Sequence, residues 1–236
     1  AGIPDIPDTS GAAPPCGLAI KIRAKDGMDY DLASDQHNGF IVATSDEFAA
    51  FLRAVGASGP DVAHPNPVEQ FLGSHPIAMA FVKSLTTPAS YAQATYFGIN
   101  SFKWTNAKGK SVFVRYRYVP RAGEHYLTPD ELKAEGPNYL QEEIVTRLAQ
   151  GPIVFDWYAQ IAETGDKIED PSIAWPESRK LVKLGTFTLT KQPDDLVAAD
   201  KAFLVLPGQP HPGIDPADPM LLLRSAAYPI SFGERQ

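Results

Sequence analysis

The chain has 236 residues, enough for one large domain or two small ones. Its net charge of −7 and its pI near 5.2 argue against a surface that binds nucleic acid or anionic membranes. No apolar run approaches the roughly 20 residues that a membrane-spanning helix needs, and a lone cysteine, Cys16, excludes an internal disulfide framework.

The first forty residues predict an arm and two short strands. Residues 1–15 are rich in proline, glycine and aspartate, which predicts an extended arm on a core. Residues 18–24 alternate apolar and polar side chains, which is typical of a half-buried strand, and residues 25–28 supply a turn. A second short strand is predicted over residues 39–43.

Two helical regions follow. The first begins at Thr44 or Ser45 as N-cap and places Phe48 and Phe51 on one face. Residues 68–85 predict one or two helices, interrupted at the His75-Pro76 pair.

The middle of the chain has the clearest strand pattern. Alternation is strong over residues 96–104 and 111–118, and residues 106–110 form a hairpin turn between them. A helix over 138–150 and strands over 153–161 and 183–190 follow. This order predicts an α+β fold, an antiparallel β-barrel with appended helices, in a single domain over residues 1–236.

The last eighteen residues, 219–236, carry the most distinctive chemistry. Strong helix formers run from Met220 to Ala227, and Pro229 predicts a helix end near Tyr228. Arg224 and Tyr228 are four residues apart, so they share one helix face. The guanidinium favours the ionised phenolate, which is a ligand suited to ferric iron. A surface helix on which the two side chains merely stack is the alternative.

Four separated motifs occur in the order found in one family. They are residues 17–22 followed by 31–32; residues 101–110 followed by 114–116; residues 175–176 with 182–189; and residues 212–216, Asp218, 220–221, Arg224, 227–229 and Arg235. From about Cys16 to Arg235 the chain resembles the catalase family, and the last motif resembles its haem-ligand segment. It resembles the short catalase-related peroxidases more than full-length catalases.

The resemblance implies a haem b cofactor (iron protoporphyrin IX) and residues on its proximal side. Tyr228 would be the iron ligand, and Arg224 would hold it as the phenolate. Asp218 matches an acid that continues this hydrogen-bond relay. Arg117 stands where the family has a histidine, so its charge would need Asp218 or a haem propionate as partner. Arg235 matches an arginine that binds a propionate.

On the distal side the resemblance implies that Phe40 and Phe48 line the haem face. Asp35 stands at the position of the family's distal asparagine, where an ionised carboxylate accepts rather than donates a hydrogen bond. A shift of the loop would bring in a neighbour instead: Gln36, His37 or Asn38. The family's distal histidine lies on a segment before the part matched by residues 1–30. We expect that segment to belong to the same gene product outside this chain, the alternative being a protein without it.

The resulting hypothesis is a haem-dependent peroxidase that reduces hydrogen peroxide or organic hydroperoxides with an unidentified electron donor. A non-catalytic haem carrier or sensor that lost the distal side is the main alternative. A haem-free interaction module and an isomerase of fatty-acid hydroperoxides are two others. No nucleic acid or membrane span is expected. The oligomeric state, a homo-oligomer included, and the compartment, cytoplasmic or periplasmic, stay open.

Overall fold

The computed structural model describes residues 6–11, 13–25 and 27–236. Seven strands form one antiparallel sheet, and six of them are neighbours in chain order: β1 (Gly17–Arg23), β2 (Asp29–Asp35), β3 (Tyr96–Thr105), β4 (Ser111–Pro120), β5 (Ile153–Ile161) and β6 (Leu181–Leu189). The seventh, β7 (Ile214–Pro216), pairs with β3. Among the described residues no ladder joins β1 to β6, and the sheet curls into a half-barrel. The predicted α+β fold with an antiparallel sheet and appended helices is confirmed, with the barrel open.

Seven α-helices surround this sheet in the described part of the chain: α1 (Ser45–Gly56), α2 (Pro67–Ser74), α3 (Pro76–Ser84), α4 (Pro129–Ala134), α5 (Tyr139–Gln150), α6 (Leu196–Ala202) and α7 (Pro219–Glu234). Thr44 is the N-cap of α1 within a capping box, and the break between α2 and α3 falls at His75 as predicted. None of the described helices is both long and apolar enough to cross a membrane.

The core is a cluster of buried side chains to which β3, β4 and β5 contribute aromatic residues. Tyr96, Tyr118 and Phe155 are almost completely buried in it, and Leu221 of α7 packs into the same cluster. The β3–β4 register shifts between Gly98 and Phe102, so the strand is irregular over residues 99–101. This irregular stretch is one wall of the site described below.

The strand predicted over residues 39–43 is wrong, because this stretch is a buried loop. The Phe40 N–H donates to the Pro171 carbonyl at 2.9 Å, so its backbone is used by another loop rather than by a ladder. Ile41 and Val42 pack with Ala78 of α3 in a second hydrophobic cluster. The run of apolar residues over 39–43 therefore indicates a buried segment and not a strand.

The helix end predicted near Tyr228 is also wrong, since α7 continues through Pro229 to Glu234. Proline has no N–H, so the Ser225 carbonyl one turn earlier loses its intrahelical donor. The residue before a proline is only biased away from the helical region, and the rest of the helix carries the chain through.

The predicted N-terminal arm lies partly outside the described residues, which leave out residues 1–5 and 12, and the predicted turn includes Asp26, which is also outside them. In the described part, the Asp8 carboxylate accepts a hydrogen bond from the Leu140 N–H at 3.0 Å. This contact ties the arm to the first turn of α5.

Candidate functional site

The short strand β7 places the start of α7 against the sheet. β7 pairs with the second half of β3, and the Ala217 N–H continues this pairing to the Ser101 carbonyl at 2.9 Å. Asp218 follows immediately as N-cap of α7, with its Oδ1 accepting from the Met220 N–H at 2.9 Å. The start of α7 is therefore fixed beside the irregular part of β3.

A cavity of about 430 Å³ lies between this helix, the end of β2 and the loop over residues 39–43. Most of its lining is apolar: Ala33, Phe40, Phe48, Ile99, Pro171, Met220, Leu223 and Ala227. Its polar groups come from Ser34, Asp35, Asn100, Arg224 and Tyr228. Five of the predicted site residues thus line one cavity, although they come from four separate parts of the chain.

Arg224 and Tyr228 form a close pair on the wall that α7 contributes. Arg224 Nε donates to the Tyr228 hydroxyl oxygen at 2.6 Å, and the guanidinium carbon lies 5.2 Å from the centre of the tyrosine ring. A guanidinium has only donors, so the phenol oxygen is the acceptor in this bond. The positive charge of the donor makes this a charge-assisted hydrogen bond.

Asn100, which the sequence reasoning missed, connects this pair to Asp218. Its Nδ2 donates to Asp218 Oδ2 at 2.7 Å, and its Oδ1 accepts from Arg224 Nη1 at 2.6 Å. The signal in the sequence was an amide inside a strongly apolar strand, but nothing local showed that the strand is irregular there. Asp218, Asn100, Arg224 and Tyr228 form one continuous chain of hydrogen bonds.

The Asp218 side chain is almost completely buried, with 1% of the residue exposed. Burial raises the pKa of the Asp218 carboxyl above its ordinary value, while hydrogen bonds from Asn100 and the Met220 N–H oppose that rise. The positive charges of Arg115 and Arg224 act in the same direction as those hydrogen bonds. The carboxyl is therefore held by donors on both of its oxygens, which offsets much of its desolvation.

Asp35 lies at the end of β2 on the cavity wall. Burial raises the pKa of its carboxyl from 3.8 to about 6, whereas the hydrogen bond from the His37 N–H and the charge of Arg224 lower it. The His37 N–H donates to Asp35 Oδ1 at 3.0 Å. The carboxyl consequently changes its protonation state near pH 6, which is an unusual property for a group on a mainly apolar wall.

Phe40 and Phe48 form the aromatic part of the same cavity, with ring centres 5.0 Å apart. The three neighbours considered in place of Asp35 are engaged elsewhere. Gln36 donates to the Thr86 carbonyl, His37 is hydrogen-bonded to Ser84 and packs on Phe81, and Asn38 donates to Glu177. None of the three lines the cavity, whereas Asp35 does.

Arg117 and Arg235 do not line the cavity. Arg117 makes two hydrogen bonds to the Glu177 carboxylate, at 2.6 and 3.0 Å, instead of the expected contact with Asp218 or a propionate. Arg235 follows the end of α7, where its guanidinium lies 3.9 Å from the Asp200 carboxylate. Arg117 therefore does not bond Asp218, and Asn100 lies between Asp218 and Arg224 instead.

A curled antiparallel sheet that carries a tyrosine-bearing helix beside an apolar cavity places this chain among the catalase-like folds. Three solved catalases share it: a bacterial catalase with a TM-score of 0.80 at 23% identity, a fungal catalase with 0.84 at 22%, and catalase A from Saccharomyces cerevisiae with 0.84 at 20%. The three matches cover 93%, 98% and 98% of this chain, in the same order, and 46%, 49% and 51% of the solved chains.

The family model described as Catalase matches residues 6–235, so the chain belongs to the catalase family. A catalase-related peroxidase of Synechococcus elongatus is 33% identical over 99% of this chain and 70% of its own length. A catalase-related peroxidase of Mycolicibacterium paratuberculosis is 32% identical over 91% of this chain and 69% of its own length.

The family implies a haem, and the cavity residues fit one. Apolar side chains and two phenylalanine rings suit the face of a flat macrocycle, and the Tyr228 oxygen, with a cation beside it, has the chemistry of an iron ligand. Phe40, Phe48, Met220 and Ala227 would hold the ring, with Tyr228 at the iron.

Proposed function

We propose that the chain is a haem-dependent peroxidase that reduces hydrogen peroxide or organic hydroperoxides. The observation that carries this proposal is the 2.6 Å hydrogen bond from Arg224 Nε to the Tyr228 oxygen at the wall of an apolar cavity. In this proposal Tyr228 ligates the iron of haem b as a phenolate. A bound haem would supply the redox chemistry that no side chain of the cavity provides.

The chain's own residues bind, orient and move protons. Arg224 would stabilise the negative charge of a Tyr228 oxygen that ligates iron, because its Nε donates a charge-assisted hydrogen bond to that oxygen. Phe40 and Phe48 exclude water from their side of the cavity. Asp35, whose pKa burial raises to about 6, accepts a proton from a bound hydroperoxide when ionised and returns it when protonated.

A second candidate is a haem carrier or sensor without catalysis. The carboxyl of Asp35 supports it, because above its pKa of about 6 this group has no proton to donate to a peroxide oxygen. The two candidates share the Tyr228 ligand and differ in turnover. Peroxide consumption coupled to oxidation of a generic reducing dye, measured between pH 5 and 8, therefore separates them.

The decisive experiment titrates ferric haem into the chain and into Tyr228→Phe. We expect stoichiometric binding by the chain, and for the variant a changed ferric spectrum with binding weaker by at least about tenfold, since the ligand oxygen is lost. Tyr126→Phe is the matched control, because the Tyr126 hydroxyl bonds the exposed Glu124. Identical spectra for the chain and Tyr228→Phe would eliminate the ligand assignment.

A further inference from the structure

We propose that Asn100 is a positioning residue, whose amide bridges Asp218 and Arg224 and thereby aims Arg224 Nε at the Tyr228 oxygen. This inference rests on the proposed function, in which the Tyr228 oxygen is the ligand atom. It adds a fixed bridge that cannot change its charge.

The bridge exists because of the irregular stretch of β3. The register shift between Gly98 and Phe102 turns the Asn100 side chain toward the start of α7, and Asn100 itself is 5% exposed. The Ala217 N–H bonds the Ser101 carbonyl, so Asp218 comes to lie beside Asn100. Two backbone features, the irregular strand and the β7 pairing, bring the amide and the carboxylate together.

The chemistry of the neighbours dictates the orientation of this amide. The Arg224 guanidinium can only donate, so the Asn100 oxygen must face it. An ionised Asp218 can only accept, so the Asn100 nitrogen must face the carboxylate. The reversed amide would place two acceptors together and two donors together, which costs two buried hydrogen bonds.

An amide at this place separates two opposite charges without letting them meet. Direct contact between Asp218 and Arg224 would draw the guanidinium toward the carboxylate and away from Tyr228. With Asn100 between them, Nη1 is held by the amide and Nε remains for the phenol oxygen. An amide does not ionise across ordinary pH, so the bridge does not switch between states.

The charged and titratable groups around the bridge come from three elements. Asp218 is the N-cap of α7, and Arg224 and Tyr228 lie within that helix. Asp35 belongs to β2, and Arg115 belongs to β4, from where its charge acts on Asp218. The wild-type bridge is neutral among them. A new carboxyl at position 100 would face Asp218 directly, and this provides the test.

The test compares Asn100→Asp and Asn100→Leu with the parent chain, first without haem. Asn100→Asp keeps the shape but must hold a proton to donate to Asp218, so its folded-state pKa lies above the unfolded value near 3.9. Stability from such a group is lost as pH rises. We expect its Tm deficit relative to the parent chain to widen by about 3 °C or more from pH 5 to 8. Asn100→Leu should already show a deficit at pH 5, because both hydrogen bonds are lost. Losing the donor to Asp218 raises the Asp218 pKa further, so this deficit should also widen with pH, but by less than that of Asn100→Asp, which adds a second carboxyl.

Asn138→Asp is the matched control, because Asn138 is exposed and its side chain makes no capping hydrogen bond. The new carboxyl there is ionised throughout this range, so no widening is expected. Equal pH profiles for Asn100→Asp and the parent chain would overturn the bridge.

The second readout is ferric haem affinity, which should fall about tenfold or more in Asn100→Leu. Unchanged affinity would overturn the positioning role even if the bridge exists. The outcomes also separate this inference from the proposed function. If Tyr228→Phe abolishes haem ligation while Asn100→Leu binds haem normally, only the inference fails. If Tyr228→Phe changes nothing, the proposed function fails, and the haem-free pH profile still reports on the bridge.

Discussion

Arg224 and Tyr228 lie one turn apart on α7, with the guanidinium Nε 2.6 Å from the phenol oxygen. Spacing along the helix brings them close, but Asn100 at 2.6 Å from Nη1 sets the orientation of the guanidinium. The pair is therefore supported from a strand as well as from its own helix. The consequences can be measured on single variants.

Arg224→Lys should weaken ferric haem binding by about tenfold or more. An ammonium is a compact charge without the planar fork that reaches Asn100 and Tyr228 together, so the Tyr228 oxygen loses its directed donor. A haem titration followed by absorbance measures the change. Arg235→Lys is the matched control on the same helix, because Arg235 lies near Asp200 and not on the cavity wall. An equal loss in the control would reinstate the propionate role predicted for Arg235.

Asp35→Asn should stabilise the haem-free chain above pH 6. Burial raises the pKa of this carboxyl from 3.8 to about 6, so the folded chain binds the proton more tightly than the unfolded chain. Stability from this group is complete below pH 3.8 and is lost as pH rises through about 6. Removing the ionised form should recover roughly 2–3 kcal/mol at pH 7 and nothing at pH 4. Urea unfolding at the two pH values measures it.

The exposed Asp61 supplies the control for this experiment, since Asp61→Asn removes a solvated carboxyl. A stability gain for Asp35→Asn that is the same at pH 4 and pH 7 would contradict the buried titration. The Asn side chain can still accept from the His37 N–H, so loss of that bond would not confuse the result.

Gly208→Ala should lower the Tm by roughly 4–8 °C. A Cβ at this position would lie 2.3 Å from the Leu221 carbonyl oxygen and 2.4 Å from Ser225 Oγ, so the loop must move away from α7. Overpacking of this kind costs roughly 1–3 kcal/mol. Gly233→Ala, at which a Cβ meets nothing within 4 Å, is the control and should be neutral or slightly stabilising. Calorimetry of both variants decides whether the loop really abuts the helix.

Glu177→Gln should destabilise the fold without changing haem affinity. The Arg117 side chain is 11% exposed and that of Glu177 is 69% exposed, so solvent screens the pair and the loss should be about 1 kcal/mol. Chemical unfolding and a haem titration report the two quantities. A tenfold change in haem affinity would instead place Arg117 in the site, as the sequence resemblance first implied.

Local sequence patterns predicted the elements that carry strong periodicity. β5 was predicted with the bounds it has, β3 and β4 with their hairpin, and the N-cap of α1 as Thr44 or Ser45. In each case the pattern and the packing require the same residues. β2 was not predicted, because its sequence contains three aspartates and buries only Leu32 fully.

The pairing of Arg224 with Tyr228 could be predicted from sequence, whereas the hydrogen bonds that hold Arg224 in place could not. Arg224 and Tyr228 share a helix face by spacing alone. Asn100 and Asp218 are 118 residues apart, and their contact depends on a strand irregularity and on the short β7, neither of which has a local pattern. Arg117 was assigned to the relay by alignment, but the structure gives it Glu177 as partner.

Asp218 accepts a backbone hydrogen bond with one carboxylate oxygen and the Asn100 amide with the other. The nucleation of α7 and the alignment of its tyrosine thus draw on a single carboxyl group. Occupancy of the cavity should accordingly slow amide hydrogen exchange at Met220, and loosening the first turn should speed dissociation of whatever Tyr228 holds. Formation of the first turn of α7 and binding of a ligand at Tyr228 are therefore thermodynamically coupled.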